Sequence, residues 1–398
     1  MSDLRLPQNT KEAVMQRAVE LGETGFGRTA PNPCVGAVIT RNGAVVAEGY
    51  HTACGAPHAE VEAIAQARAA GVDLPECTLW VTLEPCNHHG RTPPCTKAII
   101  EAGIRSVGIG TLDPNPHVGG GGTAFLRDQG VEVEVGILEP ACRDLIADFL
   151  LWQQEKRPGV LLKLAATLDG KIATRSGHSA WVSGPEAREE VHGLRGRVDG
   201  VLVGGGTLRA DNPRLTCRSE RALNKQPLAL VVTSRLPEAQ DNLHLLRHRP
   251  QETIFWTTDD QSRTPQADAL RALGCRIWDL PLTASGMLDL RAGLTHFFDQ
   301  GLGHTILCEG GGRLALALAE QGLADRLRLY LAPKILGDAT AINLFSGRDE
   351  LDMGQALPWR FTRSRQVGAD MCLELRPQTQ QGAARNGAPE SIPAPRSR

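Results

Sequence analysis

Residues 58–95 read "HAEVEAIAQARAAGVDLPECTLWVTLEPCNHHGRTPPC". The first part has a helical pattern, with Pro57 just before it and Gly71 at its end, where helices favour these residues. "TLWVTLEPC" is an apolar strand that stops at a Pro-Cys pair. "PPCTKAIIEAGI" then starts a second helix behind two prolines. Helix, strand and helix in this order predict an α/β layer structure.

Working outward, "VGAVITRNGAVVAEGYH" reads as a hairpin turning at Asn42-Gly43, a strong two-residue turn signal. Residues 11–27 form an amphipathic helix. "SVGIGTLDPNP" and "VEVEVGIL" are further strands, and the glycines at 119–122 between them read as a flexible connection. "DLIADFLLWQQEKRPG" is a helix running into a linker, with a seam at Arg157-Pro158-Gly159. A second alternation follows, in which "VLLKLAATL", "VDGVLVG", "LALVVTS", "ETIFWTT", "TILCEG" and "RLRLYLAPKIL" are strands. The chain of 398 residues thus divides into domains at 1–157 and 158–376. The tail 377–398, rich in Pro, Gln and Ala, is expected to be disordered.

Lys+Arg total 43 against 45 Asp+Glu, so no basic excess points to nucleic acid. No apolar run approaches the roughly 20 residues of a membrane span. The N-terminus has no secretory signal pattern. A cytoplasmic enzyme acting on small molecules is expected, as a homo-oligomer without nucleic-acid or membrane partners. Its ten cysteines then read as reduced thiols. Cys34, Cys77, Cys142, Cys217, Cys275, Cys308 and Cys372 read as small buried hydrophobes.

His58 and Glu60 are about 200° apart on a helix and cannot share a side face. Both can serve one site only beyond the helix N-terminus. Cys95 also falls at a helix start, where free N–H groups favour a thiolate. His58, Cys86 and Cys95 would hold a tetrahedral zinc and leave its fourth position open, as in catalytic sites. Glu60 is then the catalytic proton shuttle. H-x-E followed by P-C and a second Cys is the pattern of zinc deaminases, which usually place two residues between the cysteines. Here eight intervene.

With that spacing, His58-Ala59-Glu60 and Pro85-Cys86-Asn87-His88-His89-Gly90-Arg91-Thr92-Pro93-Pro94-Cys95 resemble the bifunctional deaminase/reductase family of riboflavin biosynthesis. "PNPCVGAVI" and "GYHTACGAPHAE" match it too. The family usually has Ser where Asn87 stands, and both are small and polar. The resemblance implies a cytidine-deaminase-like three-layer αβα domain with one Zn2+. Substrate contacts would fall on Asn32, His51, His88 and Arg91.

The second half has two strand–glycine-turn–helix stretches, "VLVGGGTLRADNPRLTCR" and "ILCEGGGRLALALA". Such turns let backbone approach a phosphate, but neither is the G-x-G-x-x-G fingerprint of a Rossmann domain. K-L-A-A-T-L-D-G-K from Lys163, S-A-W from Ser179, T-L-R-A-D-N-P-R-L-T from Thr207 and E-G-G-G from Glu309 are similar to the reductase half of the same family. This implies a dihydrofolate-reductase-like α/β domain using NADPH. Cofactor contacts then fall on Ala165, Trp181, Thr207, Asp211, Ser234, Gly311, Gly312, Arg313, Leu314, Ala315, Leu316 and Ala317. Substrate contacts fall on Lys163, Ser179, Arg195, Leu215, Arg218 and Glu309. Competing readings are a surface charge for either arginine, a core-edge ion pair for Lys163 and Glu309, and core packing for Trp181.

The resemblance implies deamination of 2,5-diamino-6-(5-phosphoribosylamino)pyrimidin-4(3H)-one to 5-amino-6-(5-phosphoribosylamino)uracil. Reduction of the ribosyl group to ribityl with NADPH follows. The alternatives are a nucleoside or tRNA deaminase fused to an unrelated reductase, and a zinc-stabilised interaction module. The module would need a fourth ligand and would leave Glu60 without a task.

Overall fold

A computed structural model of the chain describes residues 2–88, 93–114, 121–219, 225–349 and 352–378. The first half runs α1 (Gln8–Glu23), β1 (Gly36–Arg41), β2 (Ala44–Tyr50), α2 (Ala59–Ala69), β3 (Thr78–Leu83), α3 (Cys95–Glu101), β4 (Ser106–Thr111), α4 (Gly121–Asp128), β5 (Glu132–Val135), α5 (Glu139–Leu145) and α6 (Ala147–Gln154).

Its sheet has the order β2-β1-β3-β4-β5. β1 is antiparallel to β2 and β3, and β3, β4 and β5 are mutually parallel. Asn42 and Gly43 both have positive φ, at 53° and 78°, which a two-residue turn matched to strand twist requires. Alternate strand residues separate two cores. Ala37, Ile39, Leu79 and Val81 pack with Ala59, Ala63, Ile99 and Leu126 of the helices on one face. Val38 and Trp80 pack with Met15, Ala18 and Cys142 on the other. Helices on both faces make three layers, which is why β3 is buried along its whole length. Burying Trp80 and its aliphatic neighbours contributes roughly 1.5–3 kcal/mol for each large side chain.

A polar chain stitches the N-terminus to this sheet. Trp80 Nε1 donates to Thr40 Oγ1 at 2.7 Å, and Thr40 Oγ1 donates to Asp3 Oδ2 at 2.7 Å. The same Asp3 oxygen accepts from Gly43 N at 3.1 Å. Asp3 is 5% exposed, so these partners replace the water it has lost.

The glycine-rich connection needs correction. Gly121 and Gly122 open helix α4, while residues 117–120 lie outside the described residues. A Cβ on Gly122 would stand 1.9 Å from the carbonyl oxygen of Pro85, so glycine is there for close approach. The expected seam lies between the end of α6 at Gln154 and the next strand. Arg157, Pro158 and Gly159 are buried, and Gly159 begins a strand.

The second half continues with β6 (Gly159–Thr167), β7 (Lys171–Ala173), α7 (Pro185–Arg195), β8 (Gly200–Gly204), α8 (Gly205–Asp211), β9 (Leu228–Val232), α9 (His244–His248), β10 (Thr253–Thr257), α10 (Asp259–Ser262), α11 (Pro265–Ala272), β11 (Arg276–Asp279), α12 (Leu290–Asp299), β12 (Thr305–Cys308), α13 (Gly312–Glu320), β13 (Arg326–Ala332), β14 (Ile342–Asn343), β15 (Trp359–Val367) and β16 (Asp370–Pro377).

The described residues form two compact units. One holds those up to Val160 together with Glu189–Cys308; the other holds Leu161–Arg188 and those from Glu309 on. In the first, β11, β10, β9, β8 and β12 lie side by side and parallel. The chain builds outward from β8 to β11, then returns to lay β12 on the other side of β8. Within this unit, the carbonyl of His304 accepts both from Trp152 Nε1 at 2.8 Å and from Gly159 N at 2.9 Å. In the second unit β6 pairs in parallel with β13, which continues antiparallel into β16 and β15. Pro377, expected in the tail, closes β16 opposite Trp359. Residues 379–398 lie outside the described residues.

Candidate functional site

Two helix starts meet as their sequences predict. His58 is the residue before α2, and Glu60 sits in its first turn. Cys95 is the first residue of α3, behind Pro94. His58 Nδ1 lies 3.1 Å from Cys95 Sγ and 3.6 Å from Cys86 Sγ. The three ligand atoms lie within 4.8 Å of one another. One imidazole nitrogen and two sulfurs form a donor set that fits Zn2+. Among the described residues the cluster has three members.

Cys86 follows β3, and α3 holds it: Thr96 N donates to Cys86 O at 3.2 Å and Cys95 N to Cys86 Sγ at 3.3 Å. The hydrogen bond from the Cys95 thiol, with further support from His58, lowers the Cys86 thiol to about 4. Cys95 is pushed up by that same bond and by burial, so the pair shares one proton. A bound metal would deprotonate both. Glu60 is 4% exposed, and burial beside the Cys86 thiolate raises it to about 6.

Asn32 and His51 join this cluster. His51 is buried, and its ring meets that of His58 edge-on with centroids 5.3 Å apart. His51 Nδ1 lies 3.0 Å from the carbonyl of Pro57 and so donates to it. Its Nε2 then accepts from Asn32 Nδ2 at 3.1 Å. Burial lowers the His51 pKa, which favours this neutral form. His88 is exposed on the loop that follows Cys86, and Arg91 lies outside the described residues. Cys34, expected to be buried, is half-buried.

In the second half, β8 and β12 pair in parallel at the point where strand order reverses, and ligands of open α/β sheets bind beyond the carboxyl ends there. Gly204 ends β8, and Gly205 and Gly206 open α8. At Gly204 and Gly206 nothing lies within 4 Å of where a Cβ would stand. That leaves open space for the backbone approach a cofactor needs. Thr207 and Asp211 lie on α8, and Ser234 is exposed just past β9. Arg195 Nη1 donates to Thr216 O at 3.2 Å, beside Leu215. Arg218 Nη2 lies 3.1 Å from His192 Nε2. Arg195, Leu215 and Arg218 are thus brought together along α7 and residues 215–218.

In the other unit Lys163 and Ala165 lie on β6, and Lys163 Nζ stands 5.8 Å from the centroid of the Tyr330 ring. Ser179 is exposed. Glu309 lies just past β12, and Gly311 precedes α13, which carries Gly312, Arg313, Leu314, Ala315, Leu316 and Ala317. Trp181 is 68% exposed under the Arg188 guanidinium, which removes the core-packing reading.

One residue was missed. Glu84, just before Pro85-Cys86, is a buried carboxylate accepting two backbone N–H groups. The only signal was an acidic residue closing an apolar strand.

Among known proteins, residues 8–111 match the cytidine and deoxycytidylate deaminase zinc-binding region, and residues 158–373 match the RibD C-terminal domain. The riboflavin biosynthesis protein RibD of Actinobacillus pleuropneumoniae is 38% identical over 374 residues, 93% of this chain and 97% of that protein. The Escherichia coli (strain K12) protein of that name is 38% identical over 376 residues, 92% and 98% of the two chains. The crystal structure of a diaminohydroxyphosphoribosylaminopyrimidine deaminase/5-amino-6-(5-phosphoribosylamino)uracil reductase from Thermotoga maritima superposes with a TM-score of 0.72 at 35% identity, covering 93% of this chain and 99% of that one. Acinetobacter baumannii RibD gives a TM-score of 0.70 at 33% identity, covering 94% and 100%. The second half is therefore no unrelated reductase joined to a deaminase. Because the likeness runs through both halves in one order and over nearly the full length of its relatives, the chain belongs to the RibD family of riboflavin biosynthesis proteins.

Proposed function

We propose that this chain carries out two successive steps of riboflavin biosynthesis. It deaminates 2,5-diamino-6-(5-phosphoribosylamino)pyrimidin-4(3H)-one to 5-amino-6-(5-phosphoribosylamino)uracil, then reduces the ribosyl group to ribityl with NADPH. The observation that carries the reading is the meeting of His58, Cys86 and Cys95 beside buried Glu60.

Zinc, when bound by these three side chains, supplies an activated water. Glu60 takes a proton from the attacking water and passes it to a ring nitrogen. It then helps protonate the departing amine. The water oxygen becomes the ring carbonyl, and ammonia leaves. Asn32 and His51 orient the pyrimidine, and His88 and Arg91 contact the substrate from the long loop.

For the reductase we assign residues 158–376, with 1–157 as the deaminase. Arg195 and Arg218 bind the ribose phosphate through fork-shaped, charge-assisted hydrogen bonds. Lys163, Ser179, Leu215 and Glu309 complete the substrate contacts. NADPH, when bound, supplies the hydride, and Ala165, Trp181, Thr207, Asp211, Ser234 and Gly311 to Ala317 contact it.

We place the enzyme in the cytoplasm as a homo-oligomer. Its ten cysteines, none of them in a disulfide, suit a reducing compartment. Among the described residues no helix is long and apolar enough to cross a membrane. Exposed Phe361 and Met353 offer apolar surface for self-association.

The test is incubation with the diaminopyrimidine substrate, with and without NADPH, followed by ammonia release and product mass. Without NADPH, deaminated product alone should accumulate; with it, the product should gain two hydrogens. Absence of ammonia from zinc-loaded protein would refute the first assignment, and absence of the mass gain on deaminated substrate the second.

A further inference from the structure

Glu84 closes β3 immediately before Pro85 and the zinc-type ligand Cys86. It is 4% exposed. Its Oε1 accepts from Thr123 N at 2.8 Å and its Oε2 from Asp113 N at 3.1 Å. Its own N–H donates to Thr111 O at 2.9 Å. One carboxylate therefore binds the chain leaving β4 and the first turn of α4.

One of these segments, the start of α4, also holds the residues that follow Glu84. Gly122 packs against the carbonyl of Pro85 so closely that any side chain would collide with it. Asn87 Nδ2 donates to Gly121 O at 3.4 Å, and Asn87 Oδ1 accepts from Thr96 Oγ1 at 2.8 Å. The turn carrying Cys86 is thus held by α3 on one side and by the Glu84-bound start of α4 on the other.

A buried carboxylate is expensive unless hydrogen bonds satisfy it. Apolar residues would fill the end of this strand at less cost. What they cannot do is accept two N–H groups at once. Glutamine cannot either, because one of its two positions carries an NH2 that would face a backbone N–H.

We infer that Glu84 is a positioning residue for Cys86, acting as a staple that fixes the Pro85-Cys86 turn in the geometry the metal requires. The inference rests on the zinc reading of the His58, Cys86 and Cys95 cluster. Residues just outside a metal's ligands typically cost 10–100-fold in metal affinity when changed.

The experiment uses the full chain, loaded with zinc or with cobalt as a spectroscopic substitute. Glu84→Gln should weaken zinc binding in chelator competition by about 10–100-fold. It should also shift the thiolate-to-cobalt absorption bands and lower the deaminase kcat more than it raises KM. Reduction of already deaminated substrate by the same preparation should be unchanged. Thr123→Pro removes one of the two donors at a position in the first turn of α4, where proline is tolerated. It should reproduce the cobalt shift in weaker form, and it decides the matter if Glu84→Gln does not fold.

A wild-type cobalt spectrum and affinity in the folded variants would overturn the inference. So would equal loss of both activities with lowered thermal stability, which marks a general folding role. Failure of the unaltered chain to bind zinc or cobalt would instead overturn the functional reading beneath it.

Discussion

Glu155 Oε2 accepts from Arg157 Nε at 2.9 Å, two residues along the chain and at the junction between the halves. Arg157 is 1% exposed. The same oxygen accepts from Arg291 Nη1 at 2.9 Å. Burial pushes the Glu155 carboxyl up, but the hydrogen bonds from Arg291 and Arg157 outweigh it, and its pKa falls below the usual value.

A lowered carboxylate pKa stabilises the fold above the ordinary carboxylate range. That stability is lost as pH falls through the ordinary value towards the lowered one. Glu155→Gln should therefore melt at lower temperature than the parent at neutral pH, with the gap closing as the medium is acidified. Thermal denaturation across a pH series checks this. A gap independent of pH would show that Glu155 contributes through packing alone.

Glu60→Gln should abolish ammonia release while zinc stays bound, because Glu60 moves protons and is not a ligand. Metal analysis beside the ammonia assay reads both quantities. Loss of zinc together with activity would make Glu60 a ligand or a support.

Asp3→Ala should destabilise the fold although it lies far along the chain from every proposed catalytic group. It leaves the Gly43 N–H without its acceptor and removes one partner from the buried Thr40 hydroxyl. Each group left unsatisfied costs about 1–3 kcal/mol. Urea denaturation should show a lower midpoint, with residual deamination by the folded fraction unchanged.

Arg235→Ala should raise the KM for NADPH and leave that for NADH nearly unaltered. Arg235 is exposed just beyond β9, and its backbone is fixed by Thr233, whose Oγ1 accepts from Arg235 N at 3.2 Å and donates to Arg235 O at 2.7 Å. Among the described residues its guanidinium has no ion-pair partner, which suits it to the 2′-phosphate that distinguishes the cofactors. Loss of one charge-assisted contact at ~1.5–3 kcal/mol implies roughly a ten- to hundredfold change. Binding of adenosine 2′,5′-bisphosphate against 5′-AMP gives the same comparison without turnover. Equal effects on both would exclude Arg235 from the site.

The first sheet was legible because its central strands β1, β3 and β4 are buried on both faces and its hairpin turns at Asn-Gly. The zinc-type cluster was legible because residue type, order and helix position all pointed one way. β15 was not, since "WRFTRSRQV" is exposed for most of its length and carries no apolar alternation. α4 was hidden because glycines at its start were read as flexibility, while the close approach to Pro85 can be seen only in space. Glu84 escaped notice for a related reason: its partners are backbone groups 29 and 39 residues away.

A single carbonyl, that of His304, serves both the indole of Trp152 and the first N–H of β6. For anyone dividing the gene at Pro158, this matters more than the length of the joint. The upstream fragment would carry a large aromatic ring stripped of its cover and its acceptor. The downstream fragment would present the matching gap. The natural unit of manufacture is the fused polypeptide, and calorimetry should find the first 160 residues melting together with strands β8 to β12 in one cooperative event.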